Sequence, residues 1–328
     1  MRLAIIGRTQ MLYETAQALH TAGHDIVCII TAPAAPEYSR TEHDFEELAQ
    51  RWRVPFRCVK SLDAPDVKAL CEDVDVGVSI NWVSTISTAQ LSLFRLGVLN
   101  AHTGDLPEYR GNACANWAII NGATAVTGTV HFMEGGTLDC GRVICQQHLP
   151  LTADTNITDV YRWSETATPA MFVEALRLLS ADPTYTLKLA DVDSPSSFRC
   201  YPRLPEDGHI NWTRDVVAIH ALVRASCHPF AGAYTYHWDG EAVRKLRILR
   251  SRVAVLETKD MAVAGHVIEN NRETGESLVA CGTGVLALLT CRYDDEADEF
   301  EPGRRWKSIR MRLGVNVEDW LWHVSRLK

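Results

Sequence analysis

An apolar run ends at Asn100-Ala101-His102, and a loop with Gly104 and Pro107 follows at once. Strand neighbours two apart share a face, so this amide and this imidazole point the same way. An amide donates to an oxygen on which charge develops, and imidazole moves protons near neutral pH. Further on, Glu134-Gly135-Gly136-Thr137-Leu138-Asp139-Cys140-Gly141 is a glycine-flanked loop holding a carboxylate. A carboxylate beside an imidazole holds its tautomer and stabilises its charged form. The three types together suit group transfer at a carbonyl. Taken one at a time, they also suit a strand end that satisfies loop backbone and a solvated turn residue.

The elements that must position these groups alternate. Strands read at 2–7, 25–30, 56–59, 74–80 and 97–102, with helices near 10–22, 45–52, 65–72 and 88–94 between them. Such alternation predicts an α/β fold on a doubly wound, mainly parallel sheet. Right-handed crossovers then bring the exits 7–10, 81–84 and 102–111 to one edge. A helix at 112–121 with Trp117 and Ile120 inward, strands at 127–133 and 143–149, and a long amphipathic helix at 155–181 follow. Gly7 stands alone after its strand without G-x-G-x-x-G, so no nicotinamide site is read there.

Residues 182–208 read as a linker, which divides the chain into a catalytic domain at 1–190 and a smaller domain at 203–328. In the second, a helix at 214–226 carries Val217, Ile219, Leu222 and Val223. Periodicity of two then runs through 233–238, 245–255, 264–268, 277–280 and 284–292, a β-rich barrel-like pattern. The acidic run 294–301 and the basic run 304–312 read as solvated loops.

Composition narrows the partners. The 328 residues are 46% hydrophobic and 23% charged, and the formal charge of −8 disfavours nucleic acid. No stretch of 18 apolar residues occurs and the first apolar run is too short for a secretory signal, so a cytoplasmic protein without membrane partner is expected. The ten cysteines form no CxxC pair, which argues against a metal and for free thiols.

The order of motifs adds a family. Asn100-x-His102, Leu106-Pro107-x-Tyr109-Arg110-Gly111, Trp117-Ala118-Ile119, Thr127-Gly128 and Asp139 in its glycine loop together resemble the folate-dependent formyltransferases. Pro205-Glu206-Asp207-Gly208-x-Ile210-x-Trp212 and Pro229-x-Ala231-Gly232-Ala233 resemble the carboxyl domain of the methionyl-tRNA and aminoarabinose members. The resemblance implies transfer of a formyl group from 10-formyltetrahydrofolate to an amine, with Asn100 as oxyanion donor, His102 as acid/base and Asp139 as its orienter. It places the folate pocket at Ile80, Asn81 and Trp82 and at Gly135, Gly136, Thr137 and Leu138. Asn112 stands where the aminoarabinose enzyme has an arginine.

For the acceptor, His102 is followed by Thr-Gly-Asp-Leu-Pro rather than the Ser-Leu-Leu-Pro of the tRNA enzymes, and residues 31–44 carry Arg40 as their one fixed cation. A nucleotide-linked amino sugar is therefore expected, with Arg8, Thr9 and Tyr109 near it. Methionyl-tRNA, N-hydroxyornithine and a non-catalytic folate-binding role are the alternatives. The second domain could serve nucleotide, tRNA or a second copy of the chain as a homodimer contact.

Overall fold

Leu3, Ala4, Ile5 and Ile6 are fully buried in the first strand. Parallel strands covered on both faces read as continuous apolar runs, and this one is central. The computed structural model describes residues 1–36, 38–188, 198–239, 241–256 and 261–314, with Leu321, Ser325 and Arg326. In chain order the elements are β1 (Arg2–Gly7), α1 (Gln10–Thr21), β2 (Asp25–Thr31), α2 (Glu42–Trp52), β3 (Phe56–Cys58), α3 (Pro65–Leu70), β4 (Val76–Ile80), α4 (Thr88–Leu91) and β5 (Gly97–His102). Then come β6 (Tyr109–Gly111), α5 (Cys114–Ile120), β7 (Ala125–Phe132), β8 (Val143–Pro150), α6 (Ile157–Ala181) and β9 (Phe198–Cys200).

Seven strands form one sheet in the order β3-β2-β1-β4-β5-β7-β8. The first five are parallel; β7 and β8 join antiparallel. β1, β4 and β5 are neighbours pointing the same way, so their exits share one edge, at the place where the strand order reverses. Gly7 sits at this edge with φ +130, and a Cβ there would lie 2.0 Å from the Ile80 carbonyl oxygen. The sheet is covered by α1 and α6 through Leu12, Ala16, Leu19, Met171, Phe172, Ala175, Leu176 and Leu179.

In the first part of the chain, two local expectations need correction. α5 starts at Cys114, and its buried residues are Cys114, Ala115, Asn116, Ala118 and Ile119, while Trp117 and Ile120 are half-buried. The expected linker contains a strand: β9 pairs in parallel with β6, Gly111 opposite Cys200. The linker's centre, 189–197, lies outside the described residues.

A second unit holds Asn116–Thr124, Leu151–Asp159 and the described residues from Arg203 on. It contains α7 (Val216–Ser226), β10 (Ala233–Trp238), β11 (Val243–Ala254), β12 (Val267–Asn270), β13 (Ser277–Ala280), β14 (Val285–Tyr293) and α8 (Pro302–Arg305). The sheet order is β10-β11-β14-β13-β12, all antiparallel. Both edges meet one late segment, His237 bridging to Leu313 and His266 to Arg312, which makes the sheet barrel-like. On α7 the exposed residue is Val217; Val216, Ile219, His220, Ala221 and Val223 face inward. The acidic and basic runs are not merely solvated. Asp294 holds Arg247 through two hydrogen bonds, and Glu296 bridges Arg244 and Arg305. Among the described residues no helix is long and apolar enough to cross a membrane. All ten cysteines are free.

Candidate active site

β5 ends in Asn100 and His102, and β7 runs antiparallel beside it with Asn100 opposite His131 and His102 opposite Thr129. Residues opposite one another on adjacent strands share a face. His131 therefore joins the amide and the first imidazole. The loop after β7 turns back at Gly141, where a Cβ would lie 1.7 Å from the Phe132 carbonyl oxygen. That turn delivers Asp139, itself left-handed at φ 53, to the same face. His102 Nδ1 lies 3.6 Å from Asp139 Oδ2, and His131 Nε2 lies 3.6 Å from Asp139 Oδ1. Asn100 Nδ2 is 3.3 Å from His131 Nε2.

The backbone of β6 completes the arrangement. His102 Nε2 donates to the Tyr109 carbonyl at 2.7 Å, and the Gly111 N–H donates to Asp139 Oδ2 at 2.9 Å. The first bond fixes the His102 proton on Nε2 and leaves the Nδ1 lone pair facing the carboxylate side. On His131, Nδ1–H donates to the Phe132 carbonyl at 2.9 Å, so Nε2 accepts from Asn100. That bond orients the Asn100 amide and leaves its second N–H for another acceptor.

Burial sets the charges. The side chains of His102, His131 and Asp139 are 9%, 1% and 7% exposed. Burial pulls His102 below its ordinary pKa; the Asp139 charge and the Tyr109 carbonyl offset part of this, and His131 adds to it. That direction favours the neutral imidazole. Burial alone would raise Asp139, but the imidazolium forms of His131 and His102 and the Gly111 N–H outweigh it and hold the carboxyl below its usual range. A neutral imidazole beside an ionised carboxylate can take a proton and have the resulting charge stabilised.

The structure thus gathers Asn100, His102 and Asp139, with Tyr109 contributing its carbonyl. The other expected residues lie elsewhere on the same sheet edge or turn. Arg8 is engaged with the Pro33 and Asn81 carbonyls, at 3.0 and 3.4 Å, and stacks on Tyr38. Thr9 has φ 89 just before α1. Asn81 Nδ2 donates to the Tyr38 hydroxyl at 2.6 Å. Ile80 is buried, and Trp82 packs half-buried against the apolar cluster around Ile6 and Leu62. Gly135 lies against the start of α4, where a Cβ would be 1.9 Å from Thr88 Oγ1. Gly136, Thr137 and Leu138 are exposed, as is Asn112.

His131 and Thr129 were not anticipated. The signal for them is strand parity: Thr127, Thr129 and His131 alternate with Val126, Gly128, Val130 and Phe132, and a buried polar residue needs a partner. Among the described residues no group of three His, Cys, Asp or Glu is arranged to hold a metal ion.

Comparison with known proteins decides the family. The formyl transferase model matches residues 1–176, and the model of the formyl transferase C-terminal domain matches 204–298. The chain belongs to the formyltransferase family. Members are enzymes that use a formyl-folate donor, and 10-formyltetrahydrofolate is the co-substrate of this formyltransferase. The methionyl-tRNA formyltransferase of Geotalea uraniireducens is 29% identical over 297 residues, 88% of this chain and 89% of that protein. That of Geobacter sulfurreducens is 27% identical over 299 residues, 88% of each. Among solved structures, the sugar 3N-formyltransferase WlaRD has a TM-score of 0.63 at 15% identity over 90% of this chain and 99% of its own. The N-formyltransferase of Helicobacter canadensis has 0.62 at 14%, over 87% and 97%. HypX from Aquifex aeolicus has 0.58 at 14%; the chain covers 49% of it, so it spans about half of that protein. At these identities the structural likenesses concern the fold.

Proposed function

We propose that this formyltransferase carries the formyl group of 10-formyltetrahydrofolate to the amino group of a nucleotide-linked amino sugar. The observation that carries the catalytic part is the buried His102 held between the Tyr109 carbonyl and Asp139, where burial draws its pKa down. In this reading the donor supplies the formyl carbonyl. Asn100, oriented by His131, gives its remaining N–H to the formyl oxygen as charge gathers there, which is worth about 3–4 kcal/mol. His102 takes the proton of the attacking amine at Nδ1 and Asp139 steadies the imidazolium; as the bond from the formyl carbon to the folate nitrogen breaks, that nitrogen takes the proton back from His102 and tetrahydrofolate leaves. In this reading the donor's flat ring lies against the turn 135–138 and the loop 80–82, with the exposed residues Gly136–Leu138 offering backbone hydrogen-bonding edges and Trp82 an apolar wall.

Support for a small acceptor comes from the segment 31–44. Its fixed cation, Arg40, donates to Gln10 Oε1 and Asp44 Oδ1 at 2.8 Å each and stacks on Tyr13. A guanidinium so engaged is poorly placed to bind a phosphate backbone. The formal charge of −8 points the same way.

The second reading is methionyl-tRNA, and the sequence relatives favour it: methionyl-tRNA formyltransferases match nearly the whole chain at 26–29% identity. Rates with dTDP-, UDP- and GDP-linked amino sugars, measured beside charged initiator tRNA at equal concentration, decide between them. Turnover of one sugar nucleotide at least a hundredfold above the tRNA is expected. Formylation of the tRNA alone overturns the acceptor assignment and leaves the catalytic reading standing.

A further inference from the structure

His102 is not held by β5 alone. Three strands contribute a row on its face, because His102 lies opposite Thr129 on β7 and Thr129 lies opposite Gln146 on β8. Thr129 is fully buried and Gln146 half-buried. The Gln146 amide nitrogen reaches three acceptors with its two hydrogens: the Leu106 carbonyl at 3.0 Å, Thr129 Oγ1 at 3.1 Å and Asp105 Oδ1 at 3.3 Å. Thr129 Oγ1 in turn donates to the Gly104 carbonyl at 2.8 Å. The loop is closed by the Tyr109 N–H on the Asp105 carbonyl at 2.8 Å.

Gly104 is where this network meets the site. A Cβ on Gly104 would lie 2.3 Å from His102 Nε2 and 2.4 Å from the Tyr109 carbonyl oxygen. Only a residue without a side chain fits against the hydrogen bond between those two atoms. Lowering or tilting the loop would open that bond, and it is the bond that keeps the His102 proton on Nε2.

We propose that Gln146, two strands from His102 and touching no reacting group, is a positioning residue: with Thr129 it clamps residues 104–106 so that the imidazole keeps one tautomer with Nδ1 toward Asp139. This rests on the reading of His102 as the acid/base. Gln146 reads as an ordinary side chain near a sheet edge until the row across β5, β7 and β8 is drawn. The groups that face His102 are Asp139 from the turn, His131 from β7 and the Tyr109 carbonyl from β6, so a change in loop height acts on all three contacts at once.

The test needs no acceptor. Full-length protein labelled with nitrogen-15 histidine reports the tautomer and titration of each imidazole, and His102→Asn identifies the His102 signals. Gln146→Met and Thr129→Val keep the side-chain size and remove the hydrogen bonds; Thr129→Ser keeps the hydroxyl. The expected result is an Nε2–H tautomer for His102 in the parent and in Thr129→Ser. In Gln146→Met and in Thr129→Val it becomes a mixture, with a pKa moved by half a unit or more, and the double variant is no worse than the larger single. The other histidines and the melting temperature control for general loosening. An unchanged His102 tautomer and titration in folded Gln146→Met and Thr129→Val overturns the proposal. Should either variant unfold, the remaining one decides alone, and Gln146→Glu, which loses the donors but keeps the shape, replaces it. Turnover of His102→Asn is a separate measurement: if it stays high, the reading of His102 fails whatever Gln146 does.

Discussion

Asp139→Asn separates charge from shape at this site. The asparagine carbonyl can still accept the Gly111 N–H that Asp139 takes at 2.9 Å, so the turn keeps its anchor. What disappears is a negative charge 3.6 Å from His102 Nδ1. Two unit charges at that distance attract by about 4–5 kcal/mol at an effective dielectric of about 20, which reproduces buried sites best. The attraction matters only once the imidazole is charged, so nearly all of it falls on the transfer step. With about 1.4 kcal/mol per factor of ten, kcat should drop by about a thousandfold. The pH profile gives the sign independently. The Asp139 charge holds the His102 pKa up against burial, so its removal lets that pKa fall further. A base must be neutral to act, and its acidic limb follows its own pKa; the limb of kcat/KM should therefore move to lower pH. Initial rates of tetrahydrofolate release from pH 5 to 9, with the best acceptor found, measure both. A variant that keeps more than a tenth of the parent turnover, or an acidic limb that moves upward, refutes the argument.

Three further outcomes follow from the same geometry. Gly104→Ala places a methyl 2.3 Å from His102 Nε2, so turnover should fall at least about a hundredfold while donor binding, followed by fluorescence titration, stays within a few-fold. Phe172→Ala empties a fully buried site under the main sheet and should cost about 3–5 kcal/mol in urea unfolding without touching the catalytic groups. Glu296 is held at about 2 by Arg305 and then Arg244. A carboxyl with a depressed folded pKa stabilises above its unfolded value of about 4.5, and that stability is lost as pH falls toward about 2. Melting of the parent should decline through that window, and Glu296→Gln should start lower and decline less.

How much of this could be read beforehand depends on what each feature leaves in the sequence. The strands β1, β2 and β4 and the first half of β5 are largely buried, so each leaves an apolar run in the sequence, and the alternation with helices follows. β6 and β9 leave no such trace. Tyr109-Arg110-Gly111 and Phe198-Arg199-Cys200 are three residues each, and they pair only because the chain returns after α6 to lie beside the site loop. Helix faces are less legible: in α5 Trp117 and Ile120 are half-buried while Ala118 and Ile119 take the inward positions, and in α7 Val217 is exposed while Ile219 and Ala221 are buried. The second unit's charge runs showed their sign but not their partners, because Asp294 and Glu296 meet Arg247, Arg244 and Arg305 across the sheet and its return loop.

The site divides in the same manner. Asn100 and His102 announce themselves as polar groups that interrupt an apolar run two residues apart. Asp139 is a single carboxylate in a glycine turn, and nothing in its spacing says that it reaches His102; the ordered motifs of the family supplied that expectation. His131 shares the strand parity of Thr129 and could have been drawn into the site only by pairing β7 with β5 in the right register. The groups that set the His102 tautomer and anchor the carboxylate, the Tyr109 carbonyl and the Gly111 N–H, are backbone and carry no residue signature. Yet they decide which imidazole nitrogen is basic and which way the carboxylate points. A sequence states which side chains are present for acid–base work; the direction in which the proton moves is written in loop backbone, and loops 103–111 and 134–141 have to be seen folded before it can be read.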